Sequence, residues 1–184
     1  MRKAMRRISA GFLGAGMLVA LTAGVSAGVA GAATRPAAAP AARPAAVSWP
    51  IVSRGAAGER VVTIQYLLGQ RGYRLAVDGL FGPATQAAVM SFQRRNKIVV
   101  SGVVGNITWP KLVVTVKLHS RGDAVRALQH QLRYAYGHRS VAVDGYFGQK
   151  TLAAVKIFQR NHKLTADGMA GNATWKALVR GNRS

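Results

Sequence analysis

Asp144-Gly145-Tyr146-Phe147-Gly148 repeats Asp78-Gly79-Leu80-Phe81-Gly82 at an offset of 66 residues. Phe158-Gln159-Arg160 repeats Phe92-Gln93-Arg94 at the same offset, and Gly171-Asn172-Ala173-Thr174-Trp175 repeats Gly105-Asn106-Ile107-Thr108-Trp109. From Leu75 to Leu112, 20 of 38 positions are identical to their partners, which marks an internal duplication. Upstream the offset is 64: Val61, Ile64, Gln65 and Leu68 answer to Val125, Leu128, Gln129 and Leu132. The second copy therefore has two extra residues between Leu132 and Val141.

Each copy has the pattern of three short helices. Val61, Ile64, Leu67 and Leu68 share one helical face, as do Val125, Leu128 and Leu132, with Asp123 placed to cap the second of these helices. A Val-Asp-Gly turn follows, since Asp and Gly accept tight backbone geometry. Pro83 suits a helix start because a first-turn proline loses no hydrogen bond. Ala88, Val89 and Phe92, matched by Ala154, Val155 and Phe158, form the inner stripe of the middle helix. The last helix holds Trp109 and Leu112, or Trp175 and Leu178, and Pro110 is tolerable there only if that helix begins near Thr108. Units of about 60 residues have marginal cores, so Phe81, Phe92 and Trp109 and their matches must supply most of the buried area.

The repeated pattern resembles the peptidoglycan-binding domain family found in cell-wall hydrolases. In the second copy the motif positions are Val143-Asp144-Gly145-Tyr146-Phe147-Gly148, Thr151, Ala154-Val155, Phe158-Gln159, Asp167-Gly168, Gly171 and Thr174-Trp175. The first copy has Val77-Asp78-Gly79, Phe81-Gly82, Thr85, Ala88-Val89, Phe92-Gln93, Gly102, Gly105 and Thr108-Trp109, and departs at Ser101, where the family has Asp. The likeness covers about Gly58 to Val114 and Gly122 to Val179. It implies an all-α chain with two tandem small three-helix domains, and a non-catalytic role in holding onto peptidoglycan.

Outside the repeats the chain reads as export and tether. Met1-Arg2-Lys3-Ala4-Met5-Arg6-Arg7 is basic, Ile8 to Val29 is uncharged, and Ala30-Gly31-Ala32-Ala33 is small, the three-part pattern of a signal peptide. Arg6-Arg7 keeps a twin-arginine route open, and an uncleaved anchor is the rival reading. Residues 34–53 are an Ala/Pro-rich linker of extended geometry. Repeat one is set at 54–114 and repeat two at 115–184, with Val113 to Ser120 as the joint between them.

The 184 residues include 26 Lys and Arg, five Asp and Glu, and no Cys, for a formal charge of +21. Loss of the signal would leave 22 basic and five acidic residues, or +17. The absence of Cys excludes a disulfide framework and a thiol nucleophile. Five acids are few for acid/base pairs or a carboxylate-held metal. The charge favours a polyanion, and anionic wall polymers fit the export signal. The basic residues are spread over both units without a nucleic-acid motif, so no specific nucleic acid is expected, nor a membrane after signal cleavage.

The candidate ligand-binding residues are Asp78, Thr85 and Gln93 with their matches Asp144, Thr151 and Gln159, read either as ligand contacts or as turn and backbone partners. Tyr73 and Arg74 join them from copy one. From the insert come Tyr134, Tyr136, His138 and Arg139, where aromatic faces beside donors suit sugar stacking or carboxylate recognition. The four histidines lack metal spacing. The expectation is a secreted, monomeric wall-binding protein with no catalytic residues, cofactor or metal. The alternative is a small secreted wall hydrolase or its accessory subunit.

Overall fold

Val61, Ile64, Leu67 and Leu68 are fully buried along one face of helix α1, Glu59–Gln70. The structure, a computed structural model, describes residues 48–181. Repeat one continues with α2, Pro83–Arg95, and α3, Thr108–Leu112. Repeat two holds α4, Asp123–His130, then α5, Gln149–Asn161, and α6, Asn172–Gly181. The described part is all-α, two helical triplets in tandem. Its β pairing is limited to isolated bridges, Val52–Val104 and Ala57–Leu80 in repeat one, Val116–Ala170 and Arg121–Tyr146 in repeat two. The expected signal, 1–33, and residues 34–47 of the linker lie outside the described residues.

The local expectations hold at Pro83, which opens α2, and at Thr108, which opens α3 and leaves Pro110 in the first turn. They fail at Asp123. Gly122 is the cap residue, with φ 109°, and Asp123 is the first helical residue, paired with Arg126 at 2.7 Å. A positive φ favours glycine there, and the carboxylate still lies near the positive end of the helix.

Residues ahead of Arg54 pack on repeat one. Trp49 is buried and stacks on Trp109 with ring centroids 5.7 Å apart, and the Trp109 indole N–H donates to Pro50 O at 2.8 Å. The Trp175 indole N–H donates to Val114 O at 2.8 Å in the same way. Val113 to Val116 therefore serve repeat two as Trp49 to Val52 serve repeat one. The expected joint is not slack chain: α3 runs directly into the entry segment of the next repeat.

The two extra residues of copy two divide between two places. Helix α4 passes into a π-helical turn over Gln131–Ala135, where Tyr136 N–H donates to Gln131 O five residues back. That turn absorbs one residue, so Gly137 (φ 73°) stands where Gly72 (φ 88°) stands in copy one. The second is absorbed between His138 and Val141, in a turn closed by Val141 N–H to His138 O.

Helices α1 and α4 pack antiparallel and join the repeats. At one end Gln70 Oε1 accepts from Ala124 N–H at 3.1 Å. At the other Gln131 Nε2 donates to Thr63 Oγ1 and Glu59 O, and His130 Nδ1 lies 2.8 Å from Glu59 Oε2, off in-line hydrogen-bond geometry. Each helix N-terminus meets its neighbour's C-terminus, so their dipoles attract. Ala124 and Ala127 are buried in this seam, and a Cβ on Gly69 would sit 2.8 Å from Asp123 Oδ2. The seam thus requires small residues. Gly69→Val should cost about 1–3 kcal/mol by overpacking. In denaturant unfolding followed by tryptophan fluorescence, the wild type should show one transition and the variant an earlier, split one. Coincident curves would mean that the seam does not couple the repeats.

Candidate functional site

Gln65 on α1 is buried, yet its amide is fully used. Its Nε2 donates to Asp78 Oδ1 at 2.7 Å, Leu80 O at 3.1 Å and Thr85 Oγ1 at 3.3 Å, and its Oε1 accepts from Gly79 N–H at 2.9 Å. One glutamine thereby ties the preceding helix, the Asp-Gly turn and the first turn of α2. Gln129 does the same with Asp144 (2.8 Å), Tyr146 O (2.9 Å), Thr151 (3.3 Å) and Gly145 N–H (2.8 Å). Gln93 repeats it on Ser101, Val103 O, Thr108 and Gly102 N–H, and Gln159 on Asp167, Met169 O, Thr174 and Gly168 N–H. Four such clamps build the two repeats.

The clamp accounts for six of the twelve sequence candidates. Thr85, Gln93, Thr151 and Gln159 are buried, and their polar atoms are spent on turns and helix starts. Asp78 and Asp144 are exposed, but Oδ1 of each also accepts a backbone N–H, from Leu80 and Tyr146, at 2.8 Å. The Gln65 amide, then the Leu80 N–H, hold the Asp78 carboxyl below its usual range. For Asp144 and Asp167 the larger causes are the N–H groups of Tyr146 and Met169, followed by Gln129 and Gln159. Ser101 replaces this carboxylate in the second clamp of repeat one, with longer bonds of 3.3 Å to Gln93 and 3.2 Å from Val103 N–H.

The insert is not one exposed loop. Tyr136 turns inward, packs edge-on against Phe158 at 4.7 Å, and donates to Leu178 O at 2.7 Å at the end of α6. Burial pushes its phenol up. Arg71 holds the matching place in repeat one, reaching Lys111 O at 2.8 Å with its guanidinium 6.0 Å from the Phe92 ring centre. Both side chains bind the last carbonyls of the third helix, by different chemistry. His138 is half-buried, and burial lowers its pKa. Tyr134 is 60% exposed, against His130 and Arg133, and Arg139 is exposed.

Several hollows among the described residues are open to a ligand. A groove beside the start of the third helix occurs in both repeats. In repeat one it measures about 280 Å³, with Ile51, Val99, Val103 and Ile107 on its lining; in repeat two it measures about 410 Å³, with Lys163, Thr165, Asp167 and Met169. The same backbone feature is lined mainly by apolar side chains in repeat one and adds Lys163, Thr165 and Asp167 in repeat two. The third hollow, about 810 Å³, lies at the repeat junction and is lined by Tyr66, Gly69, Tyr73, Arg74 and Leu75 from repeat one and Asp123 from repeat two. Tyr73 and Arg74 are thus brought together with Asp123 and Tyr66, which the sequence alone did not single out. Tyr66 and Gly69 are one turn apart on α1, whereas Asp123 comes from the other repeat and meets them only in the folded chain. Among the described residues no cluster of three or more His, Asp or Glu could hold a metal. None of their helices is long and apolar enough to cross a membrane.

A fold of tandem clamped triplets with these motifs has known relatives. The family model described as "Putative peptidoglycan binding domain" matches residues 57–112 and again 121–178. The chain belongs to the peptidoglycan-binding domain family, in two copies. It is 34% identical over 140 residues to the N-acetylmuramoyl-L-alanine amidase CwlL of Bacillus licheniformis, covering 70% of this chain and 38% of the amidase. It is 37% identical over 99 residues to the zinc D-Ala-D-Ala carboxypeptidase of Streptomyces albus G, covering 53% of this chain and 38% of that enzyme. The chain thus spans less than half the length of these relatives. Among solved structures, a peptidoglycan-binding protein from Clostridioides difficile in complex with glutamine hydroxamate is 35% identical over 34% of this chain and 40% of its own, with a TM-score of 0.34.

The clamps give stability a direction with pH. A carboxyl held below its unfolded value, about 3.9, stabilises the fold fully above that value, and the effect is lost as pH falls through the folded value. Ser101→Asp should add a fourth charged clamp, worth about 1 kcal/mol at pH 7. That gain should be lost as pH falls through the depressed value of the folded carboxyl, as read by thermal unfolding at neutral and at strongly acid pH. An equal gain at both would assign it to something other than the ionised carboxylate.

Proposed function

We propose that this chain is a secreted, non-catalytic protein that holds onto cell-wall peptidoglycan through both repeats. One observation carries the reading: the family module occurs twice, and both copies keep the same clamps and buried aromatic core. On this reading the clamp residues Asp78, Thr85, Gln93, Asp144, Thr151 and Gln159 build the turns that present the ligand face. Contact falls to exposed or half-buried groups beside them, among them Tyr73, Arg74, Tyr134, His138 and Arg139. Tyr136 supports the end of α6. The ligand is peptidoglycan, with anionic wall polymers attracted by the +17 expected after signal cleavage. The protein acts as a monomer outside the cell or on the wall, with no specific nucleic acid and no membrane as partner.

The relatives' names favour a second reading. They are wall amidases and a carboxypeptidase, so the chain is alternatively a wall hydrolase or the targeting part of one. The purified chain should co-sediment with isolated peptidoglycan and stay partly bound after the anionic polymers are stripped. The charge-driven part should fade with salt, because the Debye length is about 8 Å at 0.15 M. Complete loss on stripping would reduce the binding to charge alone. Clearing of a wall suspension by the pure chain would move the assignment to the hydrolase.

A further inference from the structure

The junction cleft belongs to neither repeat alone. Its floor exists because Gly69 lets α4 approach α1, and its lining joins an arginine of one repeat to an aspartate of the other. We propose that this cleft binds a short zwitterionic peptide, with its carboxylate on Arg74, its ammonium at Asp123 and its apolar body between Tyr66, Tyr73 and Leu75. The proposal rests on the wall-binding reading for its natural source, the peptide stems of the wall, and deepens it from a surface to a site.

Charge is the first argument. The chain has only five acidic side chains, so one of them facing an arginine across a cleft is a selective arrangement. Arg74 is exposed and forms no ion pair or hydrogen bond. Asp123 commits Oδ1 to Arg126 at 2.7 Å, while Oδ2 overhangs Gly69, 2.8 Å from where a Cβ there would lie. A polyanion would meet Asp123 as a like charge, and an uncharged glycan would leave both charges unused. A zwitterion uses both.

The walls give the second argument. Tyr66 and Tyr73 are half-buried and offer aromatic faces with polar tips. The Tyr73 hydroxyl is buried and has no hydrogen-bond partner in the fold. Tyr73 also lines a smaller hollow of about 250 Å³ with Arg71 and Arg95. At about 810 Å³ the cleft lies within the size range of small-ligand sites, about 300–1,000 Å³.

The test uses the whole purified chain and three soluble probes: alanyl-alanine with both ends free, its N-acetyl and C-amide derivatives, and an uncharged N-acetylglucosamine tetramer. Binding is read by NMR titration of the backbone and Arg Nε signals. The free dipeptide should bind saturably and shift Gly69, Arg74 and Asp123. Capping either end should weaken it about tenfold, the loss of one charge-assisted bond. Arg74→Ala should abolish the effect of amidation, and Asp123→Asn the effect of acetylation. Arg74 is exposed, so its variant keeps the fold, and Arg74→Lys should recover part of the binding. Free and capped dipeptides binding alike, no dipeptide saturating, or saturation by the tetramer alone would each overturn the proposal. Wall co-sedimentation separates the two levels. If the wild-type chain sediments with walls but no dipeptide binds, the cleft assignment falls and wall binding stands. If the chain sediments with nothing, the wider reading falls.

Discussion

A buried primary amide is the constraint on which this molecule depends. A glutamine side chain inside a protein must find partners for two donors and an acceptor, or it destabilises the fold. Here Gln65, Gln93, Gln129 and Gln159 find them in the same places: a turn N–H, a turn carbonyl, the turn's acidic or hydroxyl side chain, and a threonine in the first turn of the next helix. The separation from glutamine to turn varies, 13, 8, 15 and 8 residues, whereas turn residue and threonine are always seven apart. Length is therefore free before the turn and fixed after it. The cores of Phe and Trp add burial, but the clamps decide how successive helices meet.

That logic explains what could be read from the sequence. The triplet of helices, the starts at Pro83 and Thr108 and the inner stripes follow from apolar spacing and proline chemistry. The duplication also exposed Asp78, Gln93 and their matches as special positions. Their role was ambiguous because a polar side chain repeated at a turn looks alike whether it binds a ligand or its own backbone. Burial of Gln93 and Gln159 separates the two, and burial is a tertiary property. The Tyr66–Asp123 cleft was illegible for a related reason, since its two sides are about 50 residues apart in sequence and meet only through the α1–α4 seam. Trp49 was hidden by its neighbours, because the proline-rich composition upstream suggested tether right up to Ser53.

The insert shows how the copies diverged without losing the fold. A single residue added to a helix normally rotates everything after it by about 100°. In repeat two the π turn over Gln131–Ala135 takes up that residue and returns Gly137 to the place of Gly72. The side chain delivered to the next position is Tyr136, which does by a phenol what Arg71 does by a guanidinium. The copies also differ beside the third helix, where Val99, Ser101 and Ile107 of repeat one answer to Thr165, Asp167 and Ala173 of repeat two. The duplication has kept its frame and changed its surfaces.

The direct passage from α3 into Val113–Val116, with α1 seated on α4, leaves no free chain between the repeats. If both repeats bind, as proposed, their two sites cannot slide to suit the target. A flexible joint tolerates many separations at moderate effective concentration, whereas a rigid one gives a high value at one separation and almost none elsewhere. On that reading the molecule is a ruler. It should grip a periodic polymer only where the repeat distance of that polymer matches its own.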